Sequence, residues 1–182
     1  MAIKQTIGVI NRMEADGVIG RYAISGAFAA YYYVEPAVTE DLDVLIAFDE
    51  PSSQQRTGLV TLAPIFAYLK GMGYDEHRKE GIVIEGWPVR FLPVASDLDA
   101  EPLAKAQEID IPIGEAGGAV KTRILRPEHI LATSLRVGRP KDFMRIAQFV
   151  EARAFDPQGF SQVLRRHGLQ NAWQSFWRAG WN

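Results

Sequence analysis

Two aspartates, Asp41 and Asp43, stand two residues apart at the start of the apolar run LDVLIAF, residues 42–48. Side chains alternate across a strand, so both carboxylates project from one face with their Cα atoms about 7 Å apart, while Leu42 points the other way into a core. Like charges held that close repel. A hard divalent cation relieves the conflict, because Mg²⁺ takes oxygen ligands, commonly one or two carboxylates completed by substrate phosphates. Fifteen residues upstream of Asp41, Ser25-Gly26 marks the passage from a short strand into an Ala- and Tyr-rich helix. Backbone N–H groups at a helix start favour anions, glycine lets a phosphate approach closely, and Ser25 adds a hydroxyl donor. Each element alone has a plain structural explanation, since Asp is common beside turns and Ser is an ordinary helix cap. Together they supply what phosphoryl-type chemistry needs: a cradle for phosphates and a metal to neutralise charge.

The elements that must position these groups follow from hydrophobic spacing. Ile3, Ile7, Ile10 and Met13 predict an amphipathic helix over 2–16. A strand over 19–24 leads into Ser25-Gly26, and a helix over 26–34 stops before Pro36. The run 42–48 reads as a strand buried on both faces. A helix is expected over 59–71, then a meander of strands at 74–79, 81–85 and 88–94, punctuated by Gly81 and Gly86-Trp87-Pro88. A short helix over 100–108 and a strand over 119–125 complete the mixed part. After Pro127 the pattern is wholly helical, at 127–136, 140–153, 157–167 and 169–179. The expected fold class is α/β (α+β): an interleaved core over 1–126, with 127–182 as a helical bundle packed on it.

Composition bounds the chemistry. The chain has 182 residues, no cysteine and three scattered histidines, which excludes disulfides, thiolate zinc sites and thiol catalysis. No apolar run approaches the ~20 residues of a membrane span, and the first residues lack a signal-peptide pattern, so no membrane partner and a cytoplasmic location are expected. The formal net charge of -2 is unevenly distributed. Residues 1–120 hold 9 Lys+Arg against 18 Asp+Glu, and residues 121–182 hold 11 against 4. That split fits two parts that attract each other, or a polyanionic partner.

Taken in order, Ser25-Gly26-Ala27-Phe28-Ala29, Thr39-Glu40-Asp41-Leu42-Asp43, Trp87-Pro88-Val89-Arg90-Phe91-Leu92-Pro93, Pro127-Glu128-His129 and Gly138-Arg139-Pro140-Lys141-Asp142 resemble the nucleotidyltransferase superfamily, specifically its AbiEii-toxin-like group of small bacterial proteins. The resemblance covers about residues 20–150. It implies a nucleotidyltransferase-like mixed sheet flanked by helices, and a Mg²⁺-dependent (or Mn²⁺-dependent) transfer of a nucleoside monophosphate from ATP or another NTP to a hydroxyl acceptor. Carried over, Asp41 and Asp43 are the catalytic metal ligands, and Ser25 and Gly26 contact the triphosphate. Arg139 or Lys141 lies near phosphate, and Asp142 orients neighbouring groups. The implied partners are an antitoxin protein, as in a toxin–antitoxin pair, or a tRNA acceptor.

The chain departs from that pattern in three places. Gly26 is followed by Ala27 where Gly or Ser is usual. The third carboxylate of active members, expected on the strand 88–93, is replaced by Arg90, which cannot act as a base but can clamp a phosphate; Glu85 is the nearest acidic alternative. Ser134 stands where the toxin-like relatives often carry lysine. These departures keep a second reading open: a catalytically weak or inactive protein of the same fold that binds a partner. The last segment sets Phe160, Leu164, Trp173, Phe176, Trp177 and Trp181 among Arg165, Arg166 and Arg178. This stripe reads as core, with nucleic-acid stacking or a homo-oligomer or antitoxin interface as alternatives. Tyr31, Tyr32 and Tyr33 cannot all face one side of a helix.

Overall fold

The computed structural model describes residues 3–34, 39–48, 61–112 and 118–180. Its centre is a seven-stranded mixed sheet in the order β3-β4-β5-β2-β1-β7-β6, built from β1 (Tyr22–Ser25), β2 (Leu42–Ile46), β3 (His77–Arg78), β4 (Gly81–Ile84), β5 (Trp87–Pro93), β6 (Gln107–Pro112) and β7 (Ala119–Ile124). β2 pairs with β5 and β1 with β7 in parallel; the other neighbours are antiparallel. The α/β class is as the sequence predicts, and so is the central place of the apolar run carrying Asp43.

Flanking this sheet are α1 (Ile3–Ala15), α2 (Gly26–Tyr31), α3 (Ala63–Gly71), α4 (Asp97–Ala104), α5 (Pro127–Val137), α6 (Pro140–Ala152), α7 (Pro157–Arg166) and α8 (Gln170–Arg178). α1 buries Ile7, Ile10 and Met13 on one face and is tied to the sheet at both ends. Thr6 donates to the Ile84 carbonyl at 2.9 Å, and Asn11 to that of Lys121 at 2.9 Å. Tyr22 and Ile24 of β1 stand opposite Ile46 and Val44 of β2. Tyr22 donates its hydroxyl to Asn11 of α1, which places these residues on the α1 side. Alternation then sends Ser25, Asp43 and Leu45 to the opposite face. Each aliphatic side chain of β2 fully withdrawn from water adds roughly 1.5–3 kcal/mol, so the register that aims Asp43 away from α1 is strongly fixed.

Several boundaries differ from those expected. β1 begins later and runs through Ser25, so the serine closes the strand. α2 ends at Tyr31, three residues short, and the expected stop at Pro36 lies outside the described residues, as do residues 59–60 of the helix expected over 59–71 and Trp181. The strand expected at 74–79 shrinks to the edge pair His77–Arg78. The helix expected over 100–108 is Asp97–Ala104, followed at once by β6, which the sequence does not announce. β6 is an edge strand whose Gln107, Glu108 and Asp110 are exposed and whose Ile109 and Ile111 are only half-buried; charges of this kind blunt an edge, and the alternating stretch is short.

Part of the uneven charge joins α5 and α7 to the acidic α4. Glu101 of α4 accepts from Arg166 and from His167 at the end of α7, from His129 of α5 at 3.3 Å, and from Lys105 at 2.8 Å. Asp99 pairs with Arg136 of α5. Arg166 is thus engaged within the molecule. The aromatic stripe is chiefly core: Phe160, Leu164 and Phe176 are buried, and Trp173 stacks on Phe176 with centroids 5.3 Å apart, while Trp177 is left partly exposed.

Candidate functional site

On the sheet face opposite α1, α2, α4, α5 and α6 enclose a cleft of about 880 Å³. Ser25, Gly26, Asp41, Asp43, Arg90, Arg139, Lys141 and Asp142 all line it. They arrive from the β1–α2 junction, the start of β2, the middle of β5 and the first turn of α6. The C-cap Gly138 of α5, left-handed at φ 68°, turns the chain so that Arg139 and Lys141 meet the sheet.

Gly26 has φ +63°, and a Cβ there would lie 2.3 Å from Oδ2 of Asp43. Only glycine fits, on both counts. The glycine and the carboxylate are therefore one packed unit joining the two halves of the expected motif. Ser25 is buried and makes one long contact, 3.5 Å, to the Asp43 carbonyl. Asp41 lies just before β2 and accepts at Oδ1 from the Thr39 hydroxyl at 3.2 Å.

Arg90 stands opposite Asp43 in the parallel register of β2 and β5. Its Nε and Nη2 both donate to Asp43 Oδ1, at 2.8 and 2.7 Å, and its Nη1 donates to Glu80 at 2.7 Å. Burial works against the guanidinium charge, but Asp43 and Glu80 outweigh it and raise the Arg90 pKa above its ordinary value. An internal cation thus occupies the place where a third carboxylate is expected. Glu85, the acidic alternative, sits on the β4–β5 turn, accepts from Tyr74, and is not among the residues lining the cleft. Among the described residues no group of three His, Asp or Glu side chains is arranged to hold a metal ion.

Asp142 is 2% exposed and gathers two cations. Arg139 donates to it from its backbone N–H at 3.2 Å and from Nε at 2.8 Å, and Arg145 donates at 3.2 Å. The hydrogen bond that its guanidinium donates to Asp142 raises the Arg139 pKa despite partial desolvation. The same carboxylate caps α6, as Asp in a first turn does, and fixes two guanidinium groups at the cleft wall. Lys141 makes no ion pair among the described residues.

The sequence does not single out Lys79, Tyr31 or Arg136, which also line the cleft. Lys79 sits at φ 55° on the β3–β4 turn and pairs with Glu40; no motif marks such a turn residue. The Tyr31 hydroxyl is buried with no hydrogen-bond partner among the described residues, and desolvation raises its pKa. Tyr32 points outward and Tyr33 packs on Phe149.

The described residues define a mixed α/β protein with a large cleft lined by paired carboxylates and guanidinium groups. No protein-family model matches the chain, and no curated protein matches it. Among solved structures it is similar to an antigenic nucleotidyltransferase-like protein from Paracoccidioides brasiliensis, at 17% identity over 94% of this chain and 91% of that one, with a TM-score of 0.49. A likeness that shallow bears no functional weight, and the cleft's own chemistry has to carry any functional reading. No helix among the described residues is long and apolar enough to cross a membrane.

Proposed function

We propose that the cleft binds a nucleoside triphosphate and, with Mg²⁺ or Mn²⁺, transfers its nucleoside monophosphate to a hydroxyl acceptor. One observation carries this reading: the Ser25-Gly26 turn packs directly on Asp43 inside a cleft that also gathers Arg90, Arg139 and Lys141.

The donor chemistry fits a hard cation. Oδ2 of both Asp41 and Asp43 accepts no hydrogen bond among the described residues, and two such oxygens suit an ion that completes its shell with phosphates and water. When bound, the ion neutralises charge developing on the transferring phosphoryl group. The protein's own groups do the remaining work. Gly26, by lacking a side chain, lets the Asp43 carboxylate pack against the Ser25-Gly26 turn. Arg139, held by Asp142, and Lys141, which has no ion pair among the described residues, offer positive charge for the triphosphate, and Arg90 can exchange one carboxylate for a phosphate bidentately. Among the described residues no third carboxylate is grouped with Asp41 and Asp43 to take the acceptor's proton.

That last point favours a second reading, in which the protein binds nucleotide with little turnover and serves as an interaction partner, for example of an antitoxin protein. A titration of each NTP with Mg²⁺, followed by measurement of pyrophosphate release with tRNA and with small hydroxyl compounds, separates the two. Saturable binding with acceptor-dependent pyrophosphate release supports transfer. Saturable binding with none supports the second reading, and no binding overturns both in this form.

A further inference from the structure

We infer that the inner end of the cleft seats the nucleobase and selects bases by area, with almost no hydrogen-bond discrimination; this rests on the reading of the cleft as a nucleoside triphosphate site. β2 and β5 run in parallel with Asp43 opposite Arg90 and, two residues on, Leu45 opposite Leu92. All four side chains line the same cavity. Two residues along a strand keep the face and advance about 7 Å, so the cavity passes from a charged pair to an apolar pair within that length. Leu98 of α4 and Ile130 of α5 add further apolar lining. A single ligand that fills both ends is anionic at one and apolar and ring-like at the other. A nucleotide with its α-phosphate beside the aspartates has that profile, its ribose and base reaching the leucines.

Among the described residues the hydrogen-bonding groups at that end are few. The Thr133 hydroxyl is already spent on the His129 carbonyl at 2.8 Å, and Arg136 and Asp99 satisfy each other at the rim. Ser134, only 3% exposed, lines the cleft with no hydrogen-bond partner among the described residues. The hydroxyl is therefore available to a ligand or a water in the cleft. A hydroxyl both donates and accepts, and it suits the amino group of adenine as well as the oxo group of guanine. Such a pocket separates ligands by size, by factors of tens, whereas strict rejection requires fixed donors and acceptors.

The test is calorimetric titration of the intact protein with Mg²⁺ and ATP, GTP, CTP, UTP or inorganic tripolyphosphate, the last reporting the phosphate end alone. ATP and GTP should bind within about threefold of each other. Both should bind at least about tenfold more tightly than the pyrimidine nucleotides and than tripolyphosphate. Leu92→Asn should remove most of that gain and leave tripolyphosphate affinity in place. Val137→Asn, at a rim position that is 46% exposed and outside the core, should do the same to a smaller degree with no risk to folding. Tripolyphosphate binding with ATP no tighter, a gain that survives both substitutions, or ATP and GTP differing by more than about 30-fold overturns the inference and leaves the nucleotide reading standing. Failure of tripolyphosphate and every NTP to bind overturns the nucleotide reading itself.

Discussion

Replacing Arg90 by glutamine removes the cation that holds Asp43 Oδ1 at 2.7 Å and should strengthen divalent-metal binding. Unit charges about 4 Å apart interact by about 1 kcal/mol even at the dielectric of water. A divalent ion sharing the Asp43 carboxylate with a guanidinium therefore meets at least about 2 kcal/mol of repulsion, or roughly 25-fold in affinity. Both side chains are mostly buried, so the true figure lies above this floor. Titration with Mn²⁺, followed by its paramagnetic signal, should show wild type binding weakly, Arg90→Gln binding at least tenfold more tightly, and Arg90→Lys staying near wild type. NTP binding without metal should move the other way, because the phosphate clamp is lost. Arg90→Gln with unchanged or weaker Mn²⁺ affinity would refute the idea that Arg90 and a metal compete for Asp43.

Gly26→Ala should be among the most damaging single substitutions on the cleft. The left-handed backbone costs roughly 1–2 kcal/mol for an L-residue, and the new methyl must also displace Asp43 from 2.3 Å; a lowered melting temperature together with lost nucleotide binding is the expected pair of results. Acid should loosen α5 and α7 from α4 in two stages. Burial holds the His129 pKa below 6.5; the unfolded chain takes up that proton first, and stability falls as pH drops below about 6.5. Arg166, helped by Lys105 and the two histidines, holds Glu101 well below 4.5; the stability it contributes is complete above that value and declines below it. Melting curves from pH 8 to 3 should show both limbs, with Glu101→Gln melting lower at neutral pH and lacking the second.

The legible and illegible parts of the molecule differ for physical reasons. β2, β4, β5 and the last four helices are strongly patterned because their burial is one-sided or complete, and periodicity reports burial. β6 escapes the sequence reading although Glu108-Ile109-Asp110-Ile111 alternates, because the stretch is short, polar and only half-buried at the sheet edge. The Asp41–Asp43 spacing and the Ser25-Gly26 turn lie within a short stretch of chain, so their convergence could be anticipated. The grip of Arg90 on Asp43 depends on the parallel register of two strands 47 residues apart, which neither segment encodes alone. Lys79 and Tyr31 join the cleft from a turn and a helix end without local signature. Asp142 fits both a helix cap and a cleft residue by sequence, and its contacts with Arg139 and Arg145 show one carboxylate doing both.

The most direct measurement is a thermal shift with ATP, with and without Mg²⁺, on wild type and on Asp43→Asn. Ligand at 100 times its Kd should stabilise the wild-type fold by about 2.7 kcal/mol. The proposed site requires a shift that Mg²⁺ enlarges and that Asp43→Asn abolishes. An equal shift in both proteins, or none with any NTP in either, would contradict it.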